Sequence, residues 1–383
     1  MSKVLRVGTL RGRAALTGLA LLLGACVARP SDPTEPVPQP PPEMVAMQRQ
    51  LLLQLPTLQG MACLSAAIYA VEKDPRAEDH YFYNPKGDLY AETCKDWTQA
   101  PNTVIQAFPV TLTDDRGRPY IGVFMVWTDD LHKRQVVAMR GSYDLQDWEA
   151  NLHFRPVADE ILKVNVHEGF SKYARAVYAS LTRDHPGALR AGYDTFFTGH
   201  SLGGAVAVLV GLYFYVEEPH RYNFKGTYTF GQPRVFDTRG TTSWPNYARN
   251  TYRVETCYDP VPLVPVGENI VHSLLASPLS ADTERRQYQH LGEEILLLSS
   301  GTYWIPGENE VIRNLISDLQ VILQDLQGNY QTDHYIGTYI NRLSALVDPR
   351  GHPPTPVNPA FNFASKCLPY NLEVETKVAS APK

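Results

Sequence analysis

The stretch Thr195-Phe196-Phe197-Thr198-Gly199-His200-Ser201-Leu202-Gly203-Gly204 constrains the fold of this 383-residue chain more than any other. A short strand runs without a linker into a glycine-flanked pentad, and a long apolar helix, Ala205 to Val216, follows at once. A strand can pass directly into a helix only through a sharp, strained turn with small residues on both sides, so that the two backbones pack closely. Gly199 and Gly203 are those residues, and Gly204-Ala205-Val206 starts the helix. Ser201 is left at the apex, with the helix N-terminus pointing at it.

The remaining chain alternates strand and helix signals. Asp114-Asp115-Arg116-Gly117 is a turn between Val110-Thr111-Leu112 and the strand Ile121 to Trp127, which predicts a hairpin. Gln135 to Met139, Gly226 to Phe230 and Thr251 to Glu255 read as further strands. Glu168 to Leu181 and the acidic stretch Val311 to Leu326 have the spacing of amphipathic helices. Met44 to Ala70 reads as two helical stretches interrupted at Pro56. This alternation predicts an α/β protein with a mostly parallel central sheet and helices on both faces.

Composition removes several classes of function. The 44% hydrophobic content is ample for a large core. A net charge of −5, from 35 scattered basic and 40 acidic residues, gives no electrostatic footing for nucleic acid. The cysteines at 26, 63, 94, 257 and 367 contain no Cys-x-x-Cys pair and no Cys/His cluster at ligand spacing, so no metal site is expected.

Residues 1–26 form an address. Lys3, Arg6, Arg11 and Arg13 precede the apolar run Ala14 to Leu23, and Gly24-Ala25-Cys26 follows. About ten apolar residues suit a secretion signal; a membrane span needs roughly 20. Leu23-Gly24-Ala25-Cys26 resembles the lipobox of bacterial lipoproteins. The resemblance implies acylation of Cys26 as the mature N-terminus, and Val27 beside it implies delivery to the outer membrane of the cell envelope. Residues 27–43 are proline-rich and should be extended, holding the following domain up to about 50 Å from its anchor. Residues 44–346 are expected to form the folded domain, and 347–383 a strand-poor tail packed on it. In an oxidising compartment Cys63, Cys94, Cys257 and Cys367 can form two disulfides with three connectivities, which remain open here.

Five stretches occur in one order across roughly residues 60 to 345. They are Met139-Arg140-Gly141-Ser142 with Asp147-Trp148 and Asn151-Leu152; Val166-His167-Glu168-Gly169-Phe170; Thr198 to Gly204; Tyr228-Thr229-Phe230-Gly231-Gln232-Pro233-Arg234-Val235; and Asp333-His334. Together they resemble the class 3 lipases, the family of fungal triacylglycerol lipases. The resemblance implies an α/β-hydrolase fold and hydrolysis of carboxylic esters through a Ser-His-Asp triad, with no metal or organic cofactor required.

The residues themselves support those roles. An acid partner must hold an imidazole tautomer from a loop just beyond a strand that lies past the serine strand. Asp259, in Thr256-Cys257-Tyr258-Asp259-Pro260-Val261-Pro262, fits that place, whereas its competitor Glu255 falls within the strand. His272, His290, His334 and His352 lie downstream. His334 is in a turn-rich stretch from which a loop could reach back over the serine, and it matches the family. His290 resembles a structural histidine of the family. His200 abuts Ser201, but adjacent side chains diverge at a sharp turn, so a supporting role is expected. The backbone N–H groups of Leu202 and Ser142, with the Ser142 hydroxyl, are the expected donors to an oxyanion.

The family has a lid after the oxyanion residue. Here Ser142 to Leu152 would occupy that place, with Leu145, Trp148 and Leu152 forming one apolar stripe and three acidic groups, Asp144, Asp147 and Glu149, making the segment more polar than a strongly interfacial lid. Acylglycerol, phospholipid (phospholipase A) and short-chain or feruloyl ester hydrolysis all use such machinery, and a membrane tether favours lipid esters. The alternative outside enzymology is a catalytically silent envelope lipoprotein on the same scaffold, which has no need for Ser201, Asp259, His334 and Ser142 together.

Overall fold

The computed structural model describes residues 42–77, 80–114, 117–142, 155–237, 240–256, 259, 261–263, 288–297, 302–304, 334–346 and 355–356. Two compact units divide the chain: residues 46–356 form one, and residues 1–45 with 357–383 the other. Of the second unit only residues 42–45 are described, as the first turn of a helix.

The strands, in chain order, are β1 (Val71–Lys73), β2 (Tyr81–Tyr83), β3 (Thr103–Thr113), β4 (Pro119–Asp129), β5 (Arg134–Met139), β6 (Pro156–Ala158), β7 (Asn165–His167), β8 (Asp194–His200), β9 (Asn223–Phe230), β10 (Thr251–Thr256), β11 (Glu293–Leu297), β12 (Thr302–Trp304) and β13 (Thr355–Pro356). The helices are α1 (Pro42–Ala67), α2 (Lys95–Thr98), α3 (Glu168–Ala179), α4 (Leu202–Glu217), α5 (Pro245–Ala248) and α6 (Ile336–Leu346). Eleven strands make one sheet in the order β1-β2-β3-β4-β5-β8-β9-β10-β11-β12-β13. Its centre, β5-β8-β9-β10-β11, is parallel throughout, whereas β1 to β5 pair antiparallel as a flank. The expected hairpin is β3–β4, closed at Thr113↔Pro119, where the Asp114 carboxylate accepts from the Arg118 backbone N–H at 2.8 Å.

Strand alternation divides the core in two. Phe124, Val126, Val137, Met139 and Phe197 face one side and pack with α3 and α4. Val123, Met125, Trp127, Val136 and Ala138 face the other, with α1 and α6. Successive side chains of a strand point to opposite faces, so a strand covered on both sides must be apolar without interruption, as β4 and β5 are. This is the mostly parallel sheet with helices on both faces that the alternation of elements implied, in keeping with the α/β-hydrolase fold that the resemblance implied. From Gly203 to Phe214 every residue of α4 is buried, which explains why its sequence is apolar all round.

One expectation changes. The first helix does not break at Pro56; α1 runs through it. An interior proline costs about 3 kcal/mol, but Leu55, Leu58, Met61, Ala62 and Leu64 on both sides of Pro56 are all buried against the sheet, and that apolar burial is the larger effect. A strand that the sequence reading did not mark, Glu293–Leu297, extends the parallel sheet beside β10. The acidic stretch 311–326 lies outside the described residues, as do residues 1–41 and 357–383. Of the possible disulfides, Cys63–Cys94 is formed, and Cys257 and Cys367 are outside the described residues.

Candidate active site

The parallel strands end along one edge, and the singled-out residues follow those ends. Ser201 joins β8 to α4 with φ 59° and ψ −134°, a region that costs about 1–3 kcal/mol for a residue with a side chain. The turn is held because the Ser201 N–H donates to Phe230 O at 2.9 Å and the Gly204 N–H donates to Ser201 O at 2.9 Å. The flanking glycines are obligatory. A Cβ on Gly199 would lie 2.2 Å from Gly203 O, and one on Gly203 would lie 2.2 Å from Met139 O. Thr198 anchors the strand beneath, donating to Tyr228 O at 2.8 Å and meeting the Ser65 hydroxyl of α1 at 2.8 Å.

Asp259 follows β10 and is 3% exposed. Its carboxylate accepts from His334 Nδ1–H at 2.8 Å to each oxygen, from the Val261 N–H at 2.9 Å, and from the Tyr339 hydroxyl. Tyr339, fully buried in α6, is pushed well above the usual phenol range by burial and by the Asp259 charge, so it stays a donor. Gly231, at the end of β9 with φ +58°, lies beneath this group: a Cβ there would meet Asp259 Oδ2 at 2.5 Å, Tyr339 Oη at 2.9 Å and His334 Cε1 at 3.1 Å.

His334 is 4% exposed, and with Nδ1 committed to Asp259 its Nε2 is a buried nitrogen without a partner. The Ser201 hydroxyl, on a residue 2% exposed, is likewise unpaired. No hydrogen bond joins the two atoms. Both sit beside His200, which is peptide-bonded to Ser201 and whose ring centroid lies 4.6 Å from that of His334. Such bonds often tighten only when substrate is bound.

Arg140-Gly141-Ser142 leaves β5 alongside the elbow; a Cβ on Gly141 would be 2.7 Å from His200 O and 3.2 Å from Ser201 Cβ. Ser142 is half-buried, and Leu202 opens α4, where the first N–H groups of a helix have no intrahelical acceptor. Leu145, Trp148 and Leu152 lie outside the described residues, as do Cys26, His272 and His352. The competitors are engaged elsewhere. Glu255 pairs with buried Arg253, which also reaches Glu294 at 3.3 Å, and His290 Nε2–H donates to Pro262 O at 2.7 Å.

Sequence reasoning did not single out Tyr339 or Tyr69, whose hydroxyl meets His200 Nδ1 at 3.0 Å. Neither has a local signal, because each bond spans distant segments of chain.

Residues 136–269 match the family described as lipase (class 3). The secreted mono- and diacylglycerol lipase 1 of Fusarium solani is 33% identical over 153 residues, 38% of this chain and 43% of that one. The lipase of Rhizomucor miehei is 34% identical over 136 residues, 33% of this chain and 35% of that one. Phospholipase A1 PLIP2 of Arabidopsis thaliana is 30% identical over 116 residues, 29% of this chain and 16% of that one. The chain thus spans less than half the length of these curated relatives. Among solved structures, lipase II from Rhizopus niveus is similar with a TM-score of 0.44 at 22% identity, covering 65% of this chain and 82% of that one. The match to the class 3 lipase family thus spans the segment that carries the elbow, residues 136–269.

Proposed function

We propose that this chain is a serine hydrolase that cleaves carboxylic esters of lipids through an acyl-enzyme. Ser201 is the nucleophile, His334 the general base, and Asp259 the carboxylate that fixes the histidine tautomer. One observation carries this assignment: the imidazole of His334 gives Nδ1–H to a buried carboxylate and keeps Nε2 bare, its ring 4.6 Å from that of His200, whose neighbour in the chain is Ser201 with its buried, unpaired hydroxyl. A basic nitrogen held in that tautomer is what a serine needs to lose its proton.

The reaction follows from those atoms. Ser201 Oγ attacks the ester carbonyl carbon as its proton passes to His334 Nε2, and Asp259 stabilises the imidazolium. The tetrahedral oxyanion accepts from the N–H groups of Leu202 and Ser142, with the Ser142 hydroxyl beside them; losing one such donor costs about 2.7–4 kcal/mol of transition-state stabilisation. The alcohol leaves with the proton from Nε2, and water, activated by the same nitrogen, releases the acid.

Acylglycerols are the favoured substrates, in keeping with a relative named as a mono- and diacylglycerol lipase; relatives named as phospholipases A1 support phospholipid acyl esters as the second class. The segment 142–152, with Leu145, Trp148 and Leu152, is the proposed cover of the acyl groove. Acylation of Cys26, with the proline-rich 27–43 as spacer, would hold the enzyme at an envelope membrane where such substrates concentrate. Metabolic labelling with a fatty acid should mark the wild type and not Cys26→Ser.

A panel of p-nitrophenyl esters of rising chain length, beside a triacylglycerol and a phospholipid, tests the activity. Turnover abolished by Ser201→Ala is expected; a folded wild type inert on every ester would overturn the proposal.

A further inference from the structure

The imidazole of His200 bridges two parts of the site. Its Nε2 lies 2.6 Å from the backbone oxygen of His334, and its Nδ1 lies 3.0 Å from the Tyr69 hydroxyl. A carbonyl oxygen only accepts, so the hydrogen must be on Nε2, and Nδ1 is then the acceptor for the Tyr69 O–H. In the neutral ring these partners therefore fix one tautomer. Burial and the neighbouring His334 ring push this imidazole well below its ordinary value, in keeping with that neutral form.

The bridge matters because of where its ends attach. His200 is peptide-bonded to Ser201, and the Ser201 N–H is itself pinned to Phe230 O. At the other end, the His334 ring hydrogen-bonds through Nδ1 to Asp259, and the hydrogen bond at its main-chain oxygen is a second, separate anchor. Tyr69 extends the bridge to a third part: its hydroxyl oxygen would lie 2.5 Å from a Cβ on Gly141, the residue before Ser142. Oxyanion segment, elbow and histidine loop thus meet at one hydroxyl and one imidazole.

We infer that His200 is a positioning residue: its Nε2–H grips the His334 carbonyl and so couples the place of the imidazole to the elbow, while the Tyr69 hydroxyl sets its tautomer. The inference rests on Ser201 and His334 being nucleophile and base. A displacement of about 1 Å at a reacting pair can cost on the order of 10²-fold in rate, which sets the scale of the effect.

Three variants test it, assayed on a soluble short-chain ester with urea unfolding in parallel. His200→Leu removes both hydrogen bonds and should lower kcat by about 10²-fold while KM stays within about threefold. His200→Gln offers an amide oxygen to Tyr69 and an amide N–H to His334, and should keep kcat within about tenfold of wild type. Tyr69→Phe frees the tautomer and should lower kcat by about tenfold. Wild-type kcat in His200→Leu overturns the inference and leaves the proposed triad standing, as does equal loss in the Gln and Leu variants. If His200→Leu does not fold, Tyr69→Phe retaining kcat while His200→Gln loses it overturns the inference. A wild type without turnover removes the triad and the inference together.

Discussion

Replacing Gly203 with alanine perturbs the elbow at its tightest approach. The added methyl carbon would sit 2.2 Å from Met139 O, 2.9 Å from Gly141 N and 3.0 Å from Arg140 C, all of them backbone atoms. Ordinary contact begins at 3.4 Å, so helix and strand end must part by about 1.2 Å at the oxygen. Met139 cannot yield easily, being paired with Phe124 on one side and Gly199 on the other. The displacement therefore passes into Arg140-Gly141-Ser142, which carries a proposed oxyanion donor. Removing one such donor lowers kcat by about 10²–10³-fold, and overpacking costs about 1–3 kcal/mol of stability. Initial rates on a soluble ester and the urea midpoint give both quantities. Gly187→Ala is the control, since a Cβ there meets nothing within 4 Å, and it should match wild type in both. Wild-type kcat and midpoint in Gly203→Ala would refute the close packing and its catalytic consequence.

Other perturbations follow from the same contacts. Tyr339→Phe deletes a buried hydrogen bond to the Asp259 carboxylate and should cost about 1.5–3 kcal/mol in urea unfolding; an unchanged midpoint contradicts the bond. Reducing Cys63–Cys94 opens a loop with a sequence separation of 31 and should lower stability by about 3–4 kcal/mol on the chain-entropy model, so equal midpoints with and without reductant would count against the bridge. Burial pushes the Tyr178 phenol up to about 12 and raises Tyr173, Tyr213, Tyr228 and Tyr247 further. Raised folded values mean that the native state holds more protons than the unfolded chain, so stability is intact below about pH 10 and falls as pH rises beyond it. Tyrosinate absorbance from the buried set should rise last, together with unfolding. A single step near pH 10 in a still-folded protein would exclude that order.

The centre of the fold was legible because its physics is local. The elbow needs a strand, two glycines and an apolar helix in direct succession, and α4 and β5 are apolar because both are covered. Asp259 could be read from its loop beyond β10, where Val261 and Pro262 follow. The strand β11 escaped notice because Glu293 and Glu294 obscure its apolar pattern; Glu294 is buried and pairs with Arg253 on the neighbouring strand. Tyr339, Tyr69 and the His200 bridge were invisible for a different reason: their bonds span 80, 131 and 134 residues of sequence, and no local period encodes such encounters. Pro56 shows the converse, a local rule overridden by burial of the residues around it.

The proposed nucleophile can be tested directly by treating the full chain with a fluorophosphonate and locating the adduct by mass spectrometry of its peptides. A single phosphonyl group on Ser201, absent in Ser201→Ala and strongly slowed in His334→Ala, is expected. An adduct on another residue, or equal labelling of Ser201 in wild type and His334→Ala, would contradict a hydroxyl activated by that imidazole.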